Sequence, residues 1–448
     1  MATPADKIRQ VENIVVDFVT KESGYFLVAG NDSVFNSVLR GTMSKQLGIN
    51  ADCVSVVSDS TKIIKEINDI SNRRKRLVVF LERQLDQGEA SFLVRQLKNA
   101  FPDIKIIILT HEAERQQLVL LHEIGADSII TKPVSMNTLI EKIAFTVKPP
   151  GKLGQIIEAG KVLLTKGNYE NALRLAKKVL ELKPGSAAGL MMMGDAYKGL
   201  GKREKALDAY MQAQEGSNLY MEPLKKLAEF YQETGDMENY LDYLEKLDKL
   251  SPLNVDRKVD MGTVHVQMGN EEKADRFFEM AVREATRQAG AFIEEISTRI
   301  AHVYTASNPG KAEHYFRKAL DAKGDSLDKT DIKTFNQLGI SLRKQGKWRE
   351  AVTVYSKALK IAPHDENLFY NMAMASAEGK DFTLALEYIE QALAINSDFH
   401  TLDPVVAYNI GLFYAKNGRK EKARFYLQAA ADQDPAFENP RRVLAQLG

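Results

Sequence analysis

The stretch "GKVLLTKGNYENALRLAKKVLELKPGS", Gly160 to Ser186, is followed by "GDAYKGLGKREKALDAYMQAQEGS", Gly194 to Ser217. The second repeats the frame of the first after a shift of 34 residues. A period of this length means stacked supersecondary units, each burying its apolar face on the next. The frame recurs at Gly262, Gly269, Ala274, Phe278 and Ala281, and again at Gly339, Gly346, Ala351, Tyr355, Ala358 and Pro363. It closes at Gly411, Tyr414, Gly418, Ala423, Ala430 and Pro435. Weaker copies surround Tyr231, Gly235 and Pro252, then Ala301, Tyr304, Ala312, Phe316 and Ala319, then Ala373, Ala385 and Ala392. The residue types have a packing logic. Small residues let two antiparallel helices approach closely, and the glycine between them permits a tight turn. Aromatics fill the gap between successive pairs, and proline stops the second helix.

These positions resemble the tetratricopeptide (TPR) repeat, with about eight copies over Leu153 to Phe437. Insertions before Ala291 and around "KGDSLDKTD" (Lys323 to Asp331) interrupt the period, and the tail from Glu438 to Leu447 is expected to form a capping helix. The resemblance implies an all-α superhelical solenoid whose concave face takes a protein or peptide ligand. In some members of the family, asparagines stacked along the inner face hold a peptide backbone, because an amide both donates and accepts. Asn336, Asn371 and Asn409 fall on the first helices of three consecutive units. They are peptide-binding candidates, with Tyr370 and Tyr408 beside them. The alternative, which the sequence favours, is that the amides hydrogen-bond between repeats and the tyrosines pack there.

Ahead of the repeats the period changes. "YFLVA" (Tyr25 to Ala29), "CVSVV" (Cys53 to Val57), "LVVFL" (Leu77 to Leu81), "IKIIILT" (Ile104 to Thr110) and "SIIT" (Ser128 to Thr131) read as strands. Continuous apolar runs suit a parallel sheet covered on both faces. Amphipathic stretches such as Ser33 to Gln46 and Glu89 to Ala100 lie between them, so the expectation is a doubly wound, flavodoxin-like α/β domain. Before the first strand, Ile8, Val11, Ile14, Val15, Phe18 and Val19 form a helical stripe, expected to pack on this domain or on a second copy of the chain. "KPPGKLG" (Lys148 to Gly154) marks the boundary.

"GADSIITKPVSMNTLIEKI" (Gly125 to Ile143), with "IIILT" ending at Thr110, resembles the receiver domain of two-component response regulators. The receiver-then-TPR order resembles bacterial proteins that join the two. The expected organisation is an N-terminal helix over 1–22, a pseudo-receiver over 23–147 and a TPR domain over 148–448. The resemblance implies a phosphoacceptor aspartate ending the third strand, an acidic pair after the first that holds Mg²⁺, a hydroxyl after the fourth and a lysine after the fifth. Thr110 matches the hydroxyl and Lys132 the lysine, with Pro133 beside it. Glu82, in "RLVVFLERQLDQGEA" (Arg76 to Ala90), falls at the aspartate position. The acidic pair falls at Gly30 and Asn31 of "VAGNDSVF", where Asp32 is the nearby acid and a candidate helix cap. The switch aromatic falls at Ile129. Glutamate carries its carboxylate about one methylene further out, and phosphoryl transfer depends on in-line positioning, so that displacement matters. Glu82 is therefore expected not to be phosphorylated, and no metal or other cofactor is expected. Either Glu82 pairs with Lys132 and imitates a charged, phosphate-like state, or it is a solvated rim acid. Asp86, four residues past the strand end, is a poorer acceptor.

Composition narrows the rest. The chain has 448 residues, 61 basic and 60 acidic, a net charge of +1. That balance gives no footprint for nucleic acid or an anionic membrane, and "NRRKRL" (Asn72 to Leu77) reads as solvated loop. The single cysteine, Cys53, excludes an internal disulfide or a cysteine zinc cluster. No run approaches the roughly 18–20 apolar residues of a membrane span, so a cytoplasmic protein is expected. No P-loop, zinc spacing or paired catalytic motif points to an enzyme. His265 holds an aromatic position of a repeat and reads as core. The reading reached is a non-catalytic signalling adaptor. Its pseudo-receiver docks a signalling protein and its repeats bind a protein or peptide; a homodimer is left open. The alternative is a phosphorylation-controlled response regulator with a TPR output domain.

Overall fold

The computed structural model describes residues 4–73, 75–85, 88–112, 114–148, 151–216 and 220–447. Asp86, and Pro149 and Pro150 of the boundary segment, lie outside the described residues. The chain forms two compact units, one reaching to Gly290 and the other beginning at Ala291.

The first unit opens with α1 (Pro4–Thr20), β1 (Gly24–Ala29), α2 (Ser33–Gly41), β2 (Val54–Val57), α3 (Ile63–Asn72), β3 (Arg76–Glu82) and α4 (Ala90–Ala100). It continues through β4 (Lys105–Thr110), α5 (Arg115–Glu123), β5 (Ser128–Thr131) and α6 (Met136–Val147). The strands make a parallel sheet of order β2-β1-β3-β4-β5. Side chains alternate across it. Phe26, Val28, Val78, Phe80, Ile107 and Leu109 pack with α1, α2 and α6. Leu27, Ala29, Val79, Leu81, Ile106 and Ile108 pack with α3, α4 and α5 on the other face. This is why the strands read as unbroken apolar runs: both faces are covered. The N-terminal stripe settles on its own domain, with Val15 and Phe18 buried and the Phe18 ring 5.7 Å from that of Phe26. The chain steps from β1 outward to β2 and then back past β1 to β3. The carboxyl ends of β1 and β3 therefore flank the switch point, where such sheets place their ligands.

Helices then follow in pairs. In the first unit these are α7 (Gly151–Thr165) with α8 (Tyr169–Leu182), α9 (Ala187–Gly199) with α10 (Arg203–Glu215), α11 (Met221–Thr234) with α12 (Met237–Leu250), and α13 (Val255–Gln267) with α14 (Glu271–Gln288). The second unit has α15 (Gly290–Ser307) with α16 (Pro309–Lys323), α17 (Ile332–Lys344) with α18 (Trp348–Leu359), α19 (Glu366–Glu378) with α20 (Phe382–Ile395), and α21 (Pro404–Lys416) with α22 (Lys420–Gln433). The final helix, α23 (Glu438–Leu447), lays Val443, Leu444 and Leu447 over the apolar end of the last pair.

One contact recurs inside the pairs. A glycine on the first helix receives a ring from the second: Gly194 takes Tyr210, Gly262 takes Phe278 and Gly339 takes Tyr355. The three rings are fully buried. At the last pair Leu427 replaces the ring against Gly411. A β-carbon on any of these glycines would overlap its partner, so the small residue sets the helix spacing. Gly339→Ala should gain about 1 kcal/mol of helix propensity and lose about 1–3 kcal/mol to overpacking, for a net loss. Gly310→Ala, where the nearest atom stands 3.6 Å from the new carbon, should show no loss. Thermal melts of the two variants should therefore separate by several degrees.

Candidate functional site

Four loops meet at the carboxyl rim of the sheet. Gly30 follows β1, Glu82 ends β3, Thr110 ends β4 and Lys132 follows β5. The strand register, Ala29 beside Leu81, Glu82 beside Leu109 and Thr110 beside Thr131, holds them level.

Lys132 organises the site. Its Nζ donates to Glu82 Oε1 and Oε2, each at 2.9 Å, and to Asp32 Oδ2 at 2.7 Å. An ammonium has three donors, and all three are used. The Lys132 side chain is only 7 % exposed, against 21 % for Asp32 and 15 % for Glu82. Burial pulls the Lys132 ammonium down, but its bonds to Asp32 and Glu82 outweigh this and raise it above 10.5. The hydrogen bond from Lys132 lowers the Asp32 carboxyl below its ordinary 3.8, against the opposing effect of burial. Asp32 also caps α2, accepting at Oδ1 from the Val34 and Phe35 amides, each at 2.9 Å. One carboxylate thus ties the β1 loop to the β5 loop and starts a helix.

Gly30 explains how glutamate fits at the third strand end. A side chain on Gly30, at φ +153°, would collide with Cγ of Glu82. The extra methylene of Glu82 occupies space that an acid at position 30 would need. Asn31 is exposed beside it. Thr110 is buried, and its hydroxyl donates to the Glu112 carbonyl at 2.7 Å and accepts from the Glu112 amide at 3.2 Å. Its hydroxyl is thus engaged with the β4 loop rather than with Lys132. Pro133 follows Lys132 through a cis peptide bond. Ile129 is partly buried against the core of the α3–α5 face. The residues at hand do not fit Mg²⁺: a hard cation needs charged oxygens, and the two carboxylates here are committed to Lys132. Among the described residues no group of three or more histidine, cysteine, aspartate or glutamate side chains is placed to hold a metal.

In the second unit, Asn371 Nδ2 donates to Asn336 Oδ1 at 2.7 Å, and Asn409 Nδ2 donates to the Tyr370 hydroxyl at 2.7 Å. The amides therefore link consecutive repeats. Tyr370 also lies edge-on to Phe399 at 5.6 Å, and Tyr408 edge-on to Phe437 at 5.3 Å. His265 is buried and stacked on Phe277 at 5.5 Å, and burial pushes its pKa below 6.5. No helix of the described residues is long and apolar enough to cross a membrane.

The sequence reading missed a second cluster. Glu123, ending α5, pairs with Arg257 of α13, and both side chains are almost fully buried. A signal existed. Lys258 stands four residues before the frame glycine, where other repeats have Leu190, Phe335 and Ala407, so charge enters a buried turn.

Residues 32–144 match the response regulator receiver domain family. Tetratricopeptide repeat families match residues 157–219, 339–378, 367–399 and 406–437. The chain is thus a receiver domain followed by TPR repeats. It is similar to the BBSome complex member BBS4 of Bos taurus, 22% identical over 290 residues, 62% of this chain and 51% of that one. It is also similar to the photosystem I assembly protein Ycf3 of Cyanophora paradoxa, 33% identical over 85 residues, 18% of this chain and 47% of that one. The chain spans about half the length of these curated relatives. A solved structure, the C-terminal part of a TPR repeat-containing protein from Cytophaga hutchinsonii, is 19% identical with a TM-score of 0.39, covering 64% of this chain and 99% of that one.

The lysine cluster gives a pH-dependent expectation. Lys132→Met leaves two carboxylates facing each other and should cost about 1–3 kcal/mol at pH 7. Asp32 is held below 3.8, so its contribution is present above that value and fades as the pH falls through its lowered pKa. Lys132 is raised, so its contribution is present below 10.5 and is lost as the pH climbs past its raised value. Urea melts from neutral pH downward should show the two proteins converging in acid.

Proposed function

We propose that this chain is a non-catalytic signalling adaptor. Its receiver domain presents a fixed, phosphorylation-independent surface to a signalling protein, and its repeats hold a protein or peptide. The carrying observation is the occupied ammonium of Lys132. In a working receiver that lysine is a partner for the incoming phosphoryl group. Here Glu82 and Asp32 already supply its anions at 2.7–2.9 Å. Glu82 thereby stands in for a phosphoryl group, in a pocket that lacks the carboxylate pair needed to hold Mg²⁺ for its transfer. The repeats support the second half of the reading, because a solenoid exposes a long surface for extended ligands. Two relatives, a member of the BBSome complex and a photosystem I assembly protein, are in keeping with it.

The competing reading is a phosphorylation-controlled regulator, favoured by the retained Thr110 and Lys132. Acetyl phosphate with Mg²⁺, followed by intact-mass measurement, separates them. The adaptor reading expects no stoichiometric, Mg²⁺-dependent gain of a phosphoryl group, and such a gain sinks it.

Asn371 and Asn409 are proposed ligand contacts. Each amide retains hydrogen-bonding capacity beyond its single bond to the neighbouring repeat. Asn371→Ala with Asn409→Ala removes two inter-repeat bonds, each worth about 0.5–1.5 kcal/mol, so melting should fall by several degrees. Affinity for a captured partner should fall about tenfold at a temperature where the mutant remains folded. Normal binding by the folded mutant assigns the asparagines to repeat packing alone.

A further inference from the structure

The insertion "KGDSLDKTD" (Lys323 to Asp331), which the repeat frame does not require, joins α16 to α17 in the second unit. Buried Asp331 pins it. Lys323 Nζ donates to the two Asp331 carboxylate oxygens at 2.7 and 2.9 Å, and the Asp328 amide donates to Oδ2 at 2.7 Å. Leu327, in the middle of this fixed linker, is only half-buried. Beside it lies a cavity of about 240 Å³, with Phe335, Leu338 and Val354 among its walls and the exposed Asp321 and Lys357 also lining it.

The last linker shows what fills such a place. Phe399 stands five residues ahead of α21, as Leu327 stands five residues ahead of α17. Phe399 is fully buried, in one core with Ile410 and Tyr426. Phe399, Ile410 and Tyr426 follow Leu327, Leu338 and Val354 at one constant shift along the chain. The position that a phenyl ring takes in the last linker is therefore held by a smaller side chain at the insertion, and space is left over. An apolar cavity of about 150 Å³ already accepts benzene, whereas pockets that enclose a whole ligand start near 300 Å³. The cavity beside Leu327 is thus sized for one ring.

The same unit presents a ring on its surface. Phe425 of α22 is 59 % exposed, the most exposed aromatic side chain among the described residues. Its ring rests against those of His400 at 5.6 Å and Tyr426 at 5.0 Å, which hold it in place. Arg424 and Asp432 lie with it along one surface cleft. At the cavity, Asp321 and Lys357 form no ion pair among the described residues. Each surface therefore carries one cation and one anion beside its apolar centre, so Arg424 can meet Asp321 while Asp432 meets Lys357.

We propose that Phe425 of one copy of the chain inserts into the Leu327 cavity of a second copy. A buried aromatic anchor in a fitted pocket carries most of the energy of such a contact. Donor and acceptor are different surfaces, so the contact is heterologous and each pairing leaves one of each unused. Copies then join head to tail, into an open chain or a closed ring.

Sedimentation of the full chain between about 1 and 100 µM reads the contact directly. The mass should rise with concentration. Phe425→Ser removes the ring, and Leu327→Phe fills the cavity from within, as Phe399 does in its own linker. Each should weaken association by more than about tenfold while circular dichroism stays unchanged. The Phe425→Ser chain keeps its cavity and the Leu327→Phe chain keeps its ring. An equimolar mixture of the two should therefore form a one-to-one dimer and grow no further. A wild-type chain of single-copy mass throughout overturns the proposal. So does undiminished association in either variant, or a mixture that stays monomeric. If Leu327→Phe fails to fold, Asp321→Lys, an exposed change at the cavity, takes its place as the acceptor variant with the same expected and overturning results.

Discussion

The ammonium of Lys132 has three N–H groups and a buried position among loops from three strands, and the rim of the sheet is arranged around that fact. A buried cation requires anions, or it would lose its charge. Asp32 and Glu82 supply them. Each choice constrains another residue: Glu82 must be long enough to reach, and Gly30 must be bare so that the Glu82 methylenes have room. Asp32 must start α2 in register with β1, which its two amide bonds secure. What looks in the sequence like the decay of a phosphorylation site is in space a closed set of mutual dependencies.

The repeats rest on a different constraint, one of volume. Gly194, Gly262 and Gly339 each sit where a ring from the partner helix must lie. Close packing leaves no slack at such points, so the pattern of small and aromatic residues repeats even where polar positions drift. The charged residues Arg257 and Lys258 depart from that pattern inside a buried turn. Each is satisfied there: Arg257 by Glu123 and the Ser251 carbonyl, Lys258 by Asp248 at 2.8 Å and the Pro252 carbonyl. Ion pairs in such places gain little net stability over apolar packing, but they demand one geometry. The geometry demanded here brings α5 of the receiver onto α13.

The fold class of both parts was legible because it is a matter of period. Strands with both faces covered give continuous apolar runs, and paired helices give a frame near 34 residues; neither needs knowledge of distant contacts. Residue types at strand ends also placed Glu82, Thr110 and Lys132 on one rim, since parallel strands of a doubly wound sheet bring their carboxyl ends together. The tertiary structure decided which carboxylates the lysine takes, and that Gly30 provides the space for one of them. It decided that Asn371 and Asn409 spend an amide on the neighbouring repeat. It also decided that Glu123 and Arg257, 134 residues apart in the chain, share a buried site. Local pattern reflects the backbone's own periodicity and its apolar faces. Pairing between charged side chains far apart in sequence depends on how rigid pieces come to rest against one another, and one sequence carries no periodic trace of that.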